Sequence, residues 1–124
     1  RTAEVMLRKT ELRGRLAASF DLDWNGTYWY SCLTGNCQMA SVWIRLAELR
    51  GDLRFLSVAL KALDVVIDAQ RRSSLDPNLR GAVGGSNPIY GRYLIMRYPN
   101  WAPKFFIDAL MDADAALRRL ESNS

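Results

Sequence analysis

Apolar residues recur every three or four positions in two neighbouring segments at the centre of the chain, a spacing typical of amphipathic helices. In residues 36–50 the predicted apolar face consists of Met39, Val42, Trp43, Leu46 and Leu49. In residues 53–71 it consists of Leu53, Leu56, Leu60, Leu63 and Ile67, widened by Phe55, Ala59 and Val66. Only Gly51 and Asp52 separate the two segments, so the pattern predicts an antiparallel helical hairpin.

The same spacing predicts a helix towards each end of the chain. Residues 2–18 carry Val5, Met6, Leu12 and Leu16, although Gly14 interrupts them at a cost of about 1 kcal/mol relative to alanine. Residues 101–121 carry Phe106, Leu110, Ala113, Leu117 and Leu120, with Pro103 in the first turn, where its missing N–H costs little. Thr34 and Asp52 are expected to be N-caps, and Gly51 is expected to end the second helix.

The predicted fold class is all-α, with four main helices in antiparallel hairpins forming one domain over residues 1–124. No segment shows convincing strand alternation, and only 27–31 and 94–98 suit short extended stretches. The second and fourth helices are predicted to be parallel, because one helix lies between them. The two long connections, 19–35 and 72–100, would then meet at one end of the domain.

These connections hold most of the tyrosines and tryptophans of the chain. Long connections are usually either functional or disordered, and this apolar content argues against disorder. Aromatic rings with a polar group suit a surface that is half wet and half apolar. The candidate ligand-binding residues are Trp24, Tyr28, Asn36, Gln38, Tyr90, Tyr98 and Trp101. The alternative is that the rings pack as lids over the helix ends.

Two carboxylates, Asp21 and Asp23, lie beside Trp24 in the sequence and are the candidate catalytic acids. Paired carboxylates perform general acid–base catalysis where their environments separate their pKa values. Residues two apart share one side of an extended segment, so both are expected to face one pocket, with Asp23 favoured as the acid. The alternative is that they serve as turn and capping residues.

Composition narrows the possible chemistry. The net charge is +4, and no basic stripe accompanies a recognition motif, so no nucleic-acid partner is expected. The absence of histidine excludes Ser–His and Cys–His nucleophile pairs. The two cysteines, Cys32 and Cys37, are expected to be reduced and are too few for a zinc site, so we predict no metal and no cofactor. Without an apolar run of about 20 residues or a signal-peptide pattern, we expect no membrane association and favour a cytoplasmic location.

Three phrases of the sequence resemble parts of the α/α-toroid superfamily: CLTGNCQMASVWIRLAELRGD, GGSNPIYGRY and YPNWAPKFFIDAL. That superfamily includes terpenoid cyclases and glycan-active enzymes built from rings of inner and outer helices. The resemblance implies that the second and fourth helices are inner and the first and third outer, with both connections at one mouth of the ring. This chain departs from the cyclase acidic motif, since Asp21-Leu22-Asp23-Trp24 stops one acid short, and it lacks the histidine ligand of the zinc-dependent prenyltransferases.

The leading interpretation is a partial α/α-toroid domain, the C-terminal arc of a longer protein, with a carbohydrate-type ligand surface at the loop end. The isolated chain, which begins at Arg1, lacks a complete catalytic set and is not expected to be an enzyme; its parent would be glycan-active or cyclase-like. Two alternatives stay open: a non-catalytic helical protein-interaction module and a cyclase-like domain for an apolar ligand. An open arc exposes apolar edges, so self-association, or contact with the rest of a longer chain, is also predicted.

Overall fold

Four helices make up most of the computed structural model, which describes residues 1–124. Helix α1 spans Thr2–Arg13, α2 spans Leu33–Arg50, α3 spans Leu53–Ala69 and α4 spans Trp101–Ser122. Helix α2 is central, because it packs against α3 on one side and α4 on another. The prediction of a mainly helical fold with four helices is confirmed.

The hairpin of α2 and α3 forms as the sequence predicts. Gly51 ends α2 in the left-handed region, at φ 65°, and its N–H donates to the carbonyl of Ala47 at 2.9 Å. Asp52 is the N-cap of α3, and its carboxylate accepts from the backbone N–H of Arg54 at 3.0 Å. Glycine tolerates the left-handed conformation and aspartate satisfies a free N–H, so two residues suffice to reverse the chain.

The buried face of α2 differs from the predicted one. Val42 and Leu49 are 44% and 75% exposed, whereas the buried positions are Leu33, Thr34, Asn36, Cys37, Ala40, Trp43, Ile44 and Ala47. Helix α4 likewise buries Ala102, Phe106, Ala109, Ala113 and Ala116, while Leu110, Leu117 and Leu120 are partly exposed. Helix α4 thus buries four alanines and one phenylalanine, and side chains as small as alanine permit close approach to a neighbouring helix.

Helices α2 and α4 run parallel. Asp112 of α4 lies beside Ser41 and Arg45 of α2. Further towards the C-terminus of both helices, Arg119 of α4 forms an ion pair with Glu48 of α2. Later residues of one helix therefore meet later residues of the other, in agreement with the predicted direction. Their N-termini point to the same end of the domain.

Two helix boundaries correct the sequence-based ones. Helix α1 ends at Arg13 rather than residue 18, because Gly14 adopts φ 75° and its N–H donates to the carbonyl of Thr10. Helix α2 begins at Leu33, three residues before Asn36, with Cys32 as the N-cap residue. Thr34 is thus inside the helix, and its Oγ1 is buried without a hydrogen-bond partner.

The connections contain two short antiparallel ladders of two strands each. Strand β1 (Ser19–Phe20) pairs with β2 (Gly26–Thr27), and β3 (Ser31–Cys32) pairs with β4 (Ser86–Asn87). The predicted short extension of 94–98 is wrong, since Leu94 and Met96 have φ of 49° and 56° within a turn. These four helices do not show a toroid, and that arrangement stays a prediction.

Candidate ligand site where the two long connections meet

The two connections are joined at the N-terminus of α2 by the β3–β4 pair. Ser31 lies opposite Asn87 and Cys32 opposite Ser86. The pairing continues into the helix, where the backbone N–H of Leu33 donates to the carbonyl of Gly85 at 3.1 Å. One of the free N–H groups at the start of α2 is thereby satisfied by the second connection.

Close packing at Gly91 holds this junction together. A Cβ atom on Gly91 would lie 2.7 Å from the Cβ of Ser86 and 2.7 Å from the Cδ2 of Tyr30. Tyr30 and Ser86 are 7% and 2% exposed. Since neither neighbour has free space around it, glycine at this position lets the first and second connections touch.

The C-terminal end of α3 forms the other wall of the junction. The backbone of Arg71 pairs with the second connection in both directions: its N–H donates to Ala82 at 3.0 Å, and its carbonyl accepts from Gly81 at 2.8 Å. Its side-chain Nε–H donates to the hydroxyl of Tyr98 at 3.2 Å. Arg71 is therefore fixed at its backbone and at one side-chain nitrogen.

These elements enclose a pocket of about 240 Å³, the junction pocket. It is lined by Leu33, Ala69, Arg71, Gly84, Ser86, Asn87, Pro88, Ile89, Tyr90 and Tyr98. Arg71 is the only charged residue among them, and Tyr90 is 63% exposed at the rim. The lining thus combines two phenol rings with a guanidinium group and amide and hydroxyl groups, which donate and accept hydrogen bonds.

Of the predicted ligand-binding residues, the structure brings only Tyr90 and Tyr98 together in this pocket. Trp101, 44% exposed, donates from Nε1 to the hydroxyl of Tyr93 at 3.3 Å. Asn36 is 1% exposed, and its Nδ2 donates to the carbonyl of Ala62 in α3 at 3.0 Å. Gln38 is exposed on α2. The seven residues do not line one common pocket.

Trp24 and Tyr28 belong to the β1–β2 hairpin, not to the junction pocket. The Trp24 ring packs on Phe20 with centroids 5.4 Å apart, and the guanidinium carbon of Arg13 lies 4.7 Å from the centre of the Tyr28 ring. Both rings are partly buried. Their contacts fasten the hairpin to itself and to the end of α1.

Asp21 has the turn role that the sequence left open. Its carboxylate accepts from the backbone N–H groups of Asp23 and Asn25, at 2.9 and 2.8 Å, and from Nδ2 of Asn25 at 2.9 Å. The Asn25 side-chain hydrogen bond, supported by its backbone N–H, lowers the pKa of Asp21 below its ordinary value. A general acid needs a raised pKa, so this environment suits a turn better than proton donation. Asp23 is exposed.

Both cysteines are free thiols at the start of α2. Burial raises the pKa of Cys32, although the backbone N–H groups of Gly35 and Thr34 partly oppose that effect. Burial, with a smaller contribution from Cys32, raises the pKa of Cys37 to about 12. A nucleophilic cysteine needs a lowered pKa, so these thiols are packing residues.

Arg71, Ser86 and Asn87 line the pocket but are not among the residues that the sequence predicted for a ligand site. Arg71 follows a long amphipathic helix, where a solvated cation near the helix C-terminus is the ordinary expectation. The available signal was the Gly84-Gly85 pair, because adjacent glycines indicate close backbone approach. Without the β3–β4 pairing, however, nothing related those glycines to α2 or α3.

A second, larger concavity lies at the opposite end of α2. This apolar groove, of about 630 Å³, is lined by Ala47, Glu48, Gly51, Leu53, Leu56, Ala116, Arg119, Leu120 and Asn123. Leu53 and Leu120 are 58% and 41% exposed there. Leu117 of α4, 40% exposed, follows the same helix face as Leu120 and extends the apolar surface.

The chain matches no family model, no curated protein and no solved structure. The likeness to the α/α-toroid superfamily therefore stays a prediction. No helix combines the length and apolar character required to cross a bilayer. No three histidine, cysteine, aspartate or glutamate residues are grouped so that they would hold a metal ion.

Proposed function

We propose that the chain is a carbohydrate-binding helical domain and that its ligand surface is the junction pocket. The observation that carries the proposal is the convergence of Tyr90 and Tyr98 with Arg71 and Asn87. Phenol rings offer flat apolar faces against which a sugar ring packs. Guanidinium, hydroxyl and amide groups offer the hydrogen bonds that sugar hydroxyls require.

The size of the pocket favours a small ligand. Drug-sized ligands occupy sites of roughly 300–1,000 Å³, and this pocket is about 240 Å³. One sugar ring, or the end of a chain, matches that volume.

The proposed activity is binding rather than cleavage by this chain alone. Glycoside hydrolysis ordinarily uses two carboxylates on either side of the scissile bond. The lining of the junction pocket contains no aspartate or glutamate. Asp21 accepts three hydrogen bonds within its own turn. We therefore assign the domain a recognition role, which a catalytic partner or domain would use.

The test is binding to a glycan panel, followed by calorimetry with the best ligand, using Tyr90→Ala. The Tyr90 side chain is 63% exposed, so its removal is expected to leave the free energy of unfolding within about 0.5 kcal/mol of the original. Loss of a stacking ring is expected to weaken binding at least about tenfold. Leu75→Ala is the control, because Leu75 is 96% exposed and lies outside the pocket lining.

Two results would contradict the proposal. The first is no glycan binding by the folded protein at any concentration tested. The second is equal loss of binding in Tyr90→Ala and Leu75→Ala, which would move the site away from the junction pocket.

A second candidate function, a helical interaction module, is favoured by the apolar groove. Helix-in-groove binding places the apolar face of one helix in such a cleft. Helix α4 also carries an exposed apolar row, formed by Ile107, Leu110, Met111 and Leu117. The chain thus contains both a groove and a helix that suits it, so the occupant we propose is α4 of a second copy.

Light scattering over a range of concentrations tests this association. Leu53→Lys with Leu120→Lys is expected to abolish it, because two charges would be buried in an apolar groove. Leu22→Lys with Leu75→Lys is the control, since these residues are 101% and 96% exposed and lie outside the groove. A monomer at all concentrations for the unaltered chain would remove this candidate.

A further inference from the structure

The net positive charge of the chain is concentrated in one connection. Residues 70–100 contain five arginines, namely Arg71, Arg72, Arg80, Arg92 and Arg97, and one acid, Asp76. Their net charge of +4 equals that of the whole chain, so the rest is balanced. An imbalance of this kind at a concave site attracts ligands of the opposite sign.

None of these arginines is neutralised by an ion pair. The salt bridges of the structure involve only residues within 1–54 and 104–119, and so include no residue from 70 to 100. The single acid, Asp76, is engaged in its own turn, where it accepts from the backbone N–H of Asn78 at 2.9 Å. Arg80 donates from Nε to the carbonyl of Ser74 at 3.3 Å.

Arg71 differs from the other four because it lines the junction pocket. Its Nε–H is occupied by the Tyr98 hydroxyl, and its backbone is held by Gly81 and Ala82. The terminal nitrogens have no protein partner among the side-chain hydrogen bonds and salt bridges that Arg71 makes. A guanidinium group held in this way presents two parallel N–H donors, the arrangement that matches a carboxylate or phosphate.

We infer that the junction pocket selects a sugar carrying an anionic oxygen group, and that Arg71 binds that group. This inference rests on the proposed carbohydrate-binding function and adds the charge of the ligand. A carboxylate on an acidic sugar and the phosphate of a sugar phosphate share the required chemistry: two anionic oxygens in one plane with the guanidinium nitrogens. The uncharged wall of the pocket, with Tyr90 and Tyr98, would receive the sugar ring.

Calorimetry with four probes separates the parts of the inference: glucose, glucuronate, glucose 1-phosphate and inorganic phosphate. A charge-assisted hydrogen-bond pair predicts that one or both anionic sugars bind about 10–100-fold more tightly than glucose. Preference for glucuronate or for the sugar phosphate identifies the anionic group. The preference should shrink as salt is added, since Arg71 is exposed.

Three variants assign the effect to Arg71. Arg71→Gln is expected to abolish the preference of the site for the anionic sugar over glucose, while glucose itself also binds more weakly because the guanidinium donors to its hydroxyls are lost. Arg71→Lys keeps the positive charge but lacks the planar pair of donors, so its preference for the anionic sugar should lie between those of the original chain and of Arg71→Gln. Arg80→Gln is the matched control, because it removes the same charge from the same connection outside the pocket lining.

The outcomes distinguish the inference from the function on which it rests. Equal binding of glucose and the anionic sugars, unaffected by Arg71→Gln, would overturn the inference and leave carbohydrate binding standing. No binding of any sugar would overturn both. Binding of inorganic phosphate as tightly as glucose 1-phosphate, or of a short single-stranded oligonucleotide with equal losses in Arg71→Gln and Arg80→Gln, would show a general anion surface and also overturn it.

Discussion

Replacement of Gly91 with alanine tests the junction that holds the two connections together. The added Cβ would lie 2.7 Å from the Cβ of Ser86, and 2.7 and 2.8 Å from the Cδ2 and Cβ of Tyr30. Gly91 is not among the residues of positive φ, so alanine introduces no left-handed strain. Any loss of stability therefore measures steric crowding between the connections.

The expected loss of stability depends on how little Tyr30 and Ser86 can move. Insertion of a methyl group into a packed site costs typically about 1–3 kcal/mol. Tyr30 and Ser86 are 7% and 2% exposed, and two of the three close atoms are Cβ atoms, which move only with the backbone. We therefore expect Gly91→Ala to cost about 2–3 kcal/mol, a fall in Tm of about 8–12 °C for a chain of this length.

Urea unfolding followed by circular dichroism measures the cost, and Gly51 provides the contrasting control. Gly51 has φ 65° and nothing within 4 Å of its hypothetical Cβ, so Gly51→Ala should cost about 1–2 kcal/mol through backbone strain alone. Asparagine tolerates the left-handed region and should reduce that cost at Gly51 but increase it at Gly91. A Gly91→Ala variant whose free energy of unfolding lies within about 0.5 kcal/mol of the original chain would refute the close packing at Gly91.

Three further predictions concern other parts of the domain. Trp43→Phe removes the Nε1–H that donates to the Ala3 carbonyl at 3.0 Å and should cost about 1–3 kcal/mol in urea unfolding, whereas Trp29→Phe should cost almost nothing. Iodoacetamide at about pH 8 should modify Cys32 well before Cys37, whose pKa is about 12, and peptide mapping showing equal rates would contradict the burial. The pKa of Asp21 is lower in the folded chain than in the unfolded chain, so the carboxylate stabilises the fold at pH values above the unfolded pKa. This stabilisation is lost as the pH falls through the folded pKa, and the midpoint of the Asp21 titration by NMR should lie below 3.8.

The α2–α3 hairpin was predictable because local signals specify it. Gly51 and Asp52 are suited to a helix end and a helix start by their own chemistry, whatever surrounds them. The apolar stripe of α3 was also largely correct, since Leu56, Leu63 and Val66 are buried. In a helix that packs against its neighbours along one face, the apolar positions at helical spacing are the positions that become buried.

The buried face of α2 was not predictable in the same way. Helix α2 contacts both α3 and α4, and its buried positions include small side chains such as Ala40 and Ala47. Leu49 is more hydrophobic than either alanine and is nevertheless 75% exposed. Helix spacing predicts that the more hydrophobic residues of a helix are buried. Where two helix backbones approach closely, the smaller residues are buried instead.

The junction pocket was beyond sequence patterns for a related reason. Strands β3 and β4 contain two residues each, too few to show the alternation that identifies a strand. Their pairing joins residues about 55 positions apart, so no local signal relates them. The meeting of the two connections at one end of the domain was predictable, because it follows from the parallel direction of α2 and α4.

The residues that build the junction pocket differ from the residues that would contact a ligand in it. Gly85, Gly91 and Ser86 are buried and fix the backbone, while Arg71 and Tyr90 are exposed on that frame. Changes to the buried set should therefore lower stability and binding together, because both depend on the β3–β4 junction. Changes to the exposed set should affect binding alone. If binding and stability fell in parallel for every variant of both sets, the pocket would be a packed lid over the helix ends, and the aromatic rings would have only a structural role.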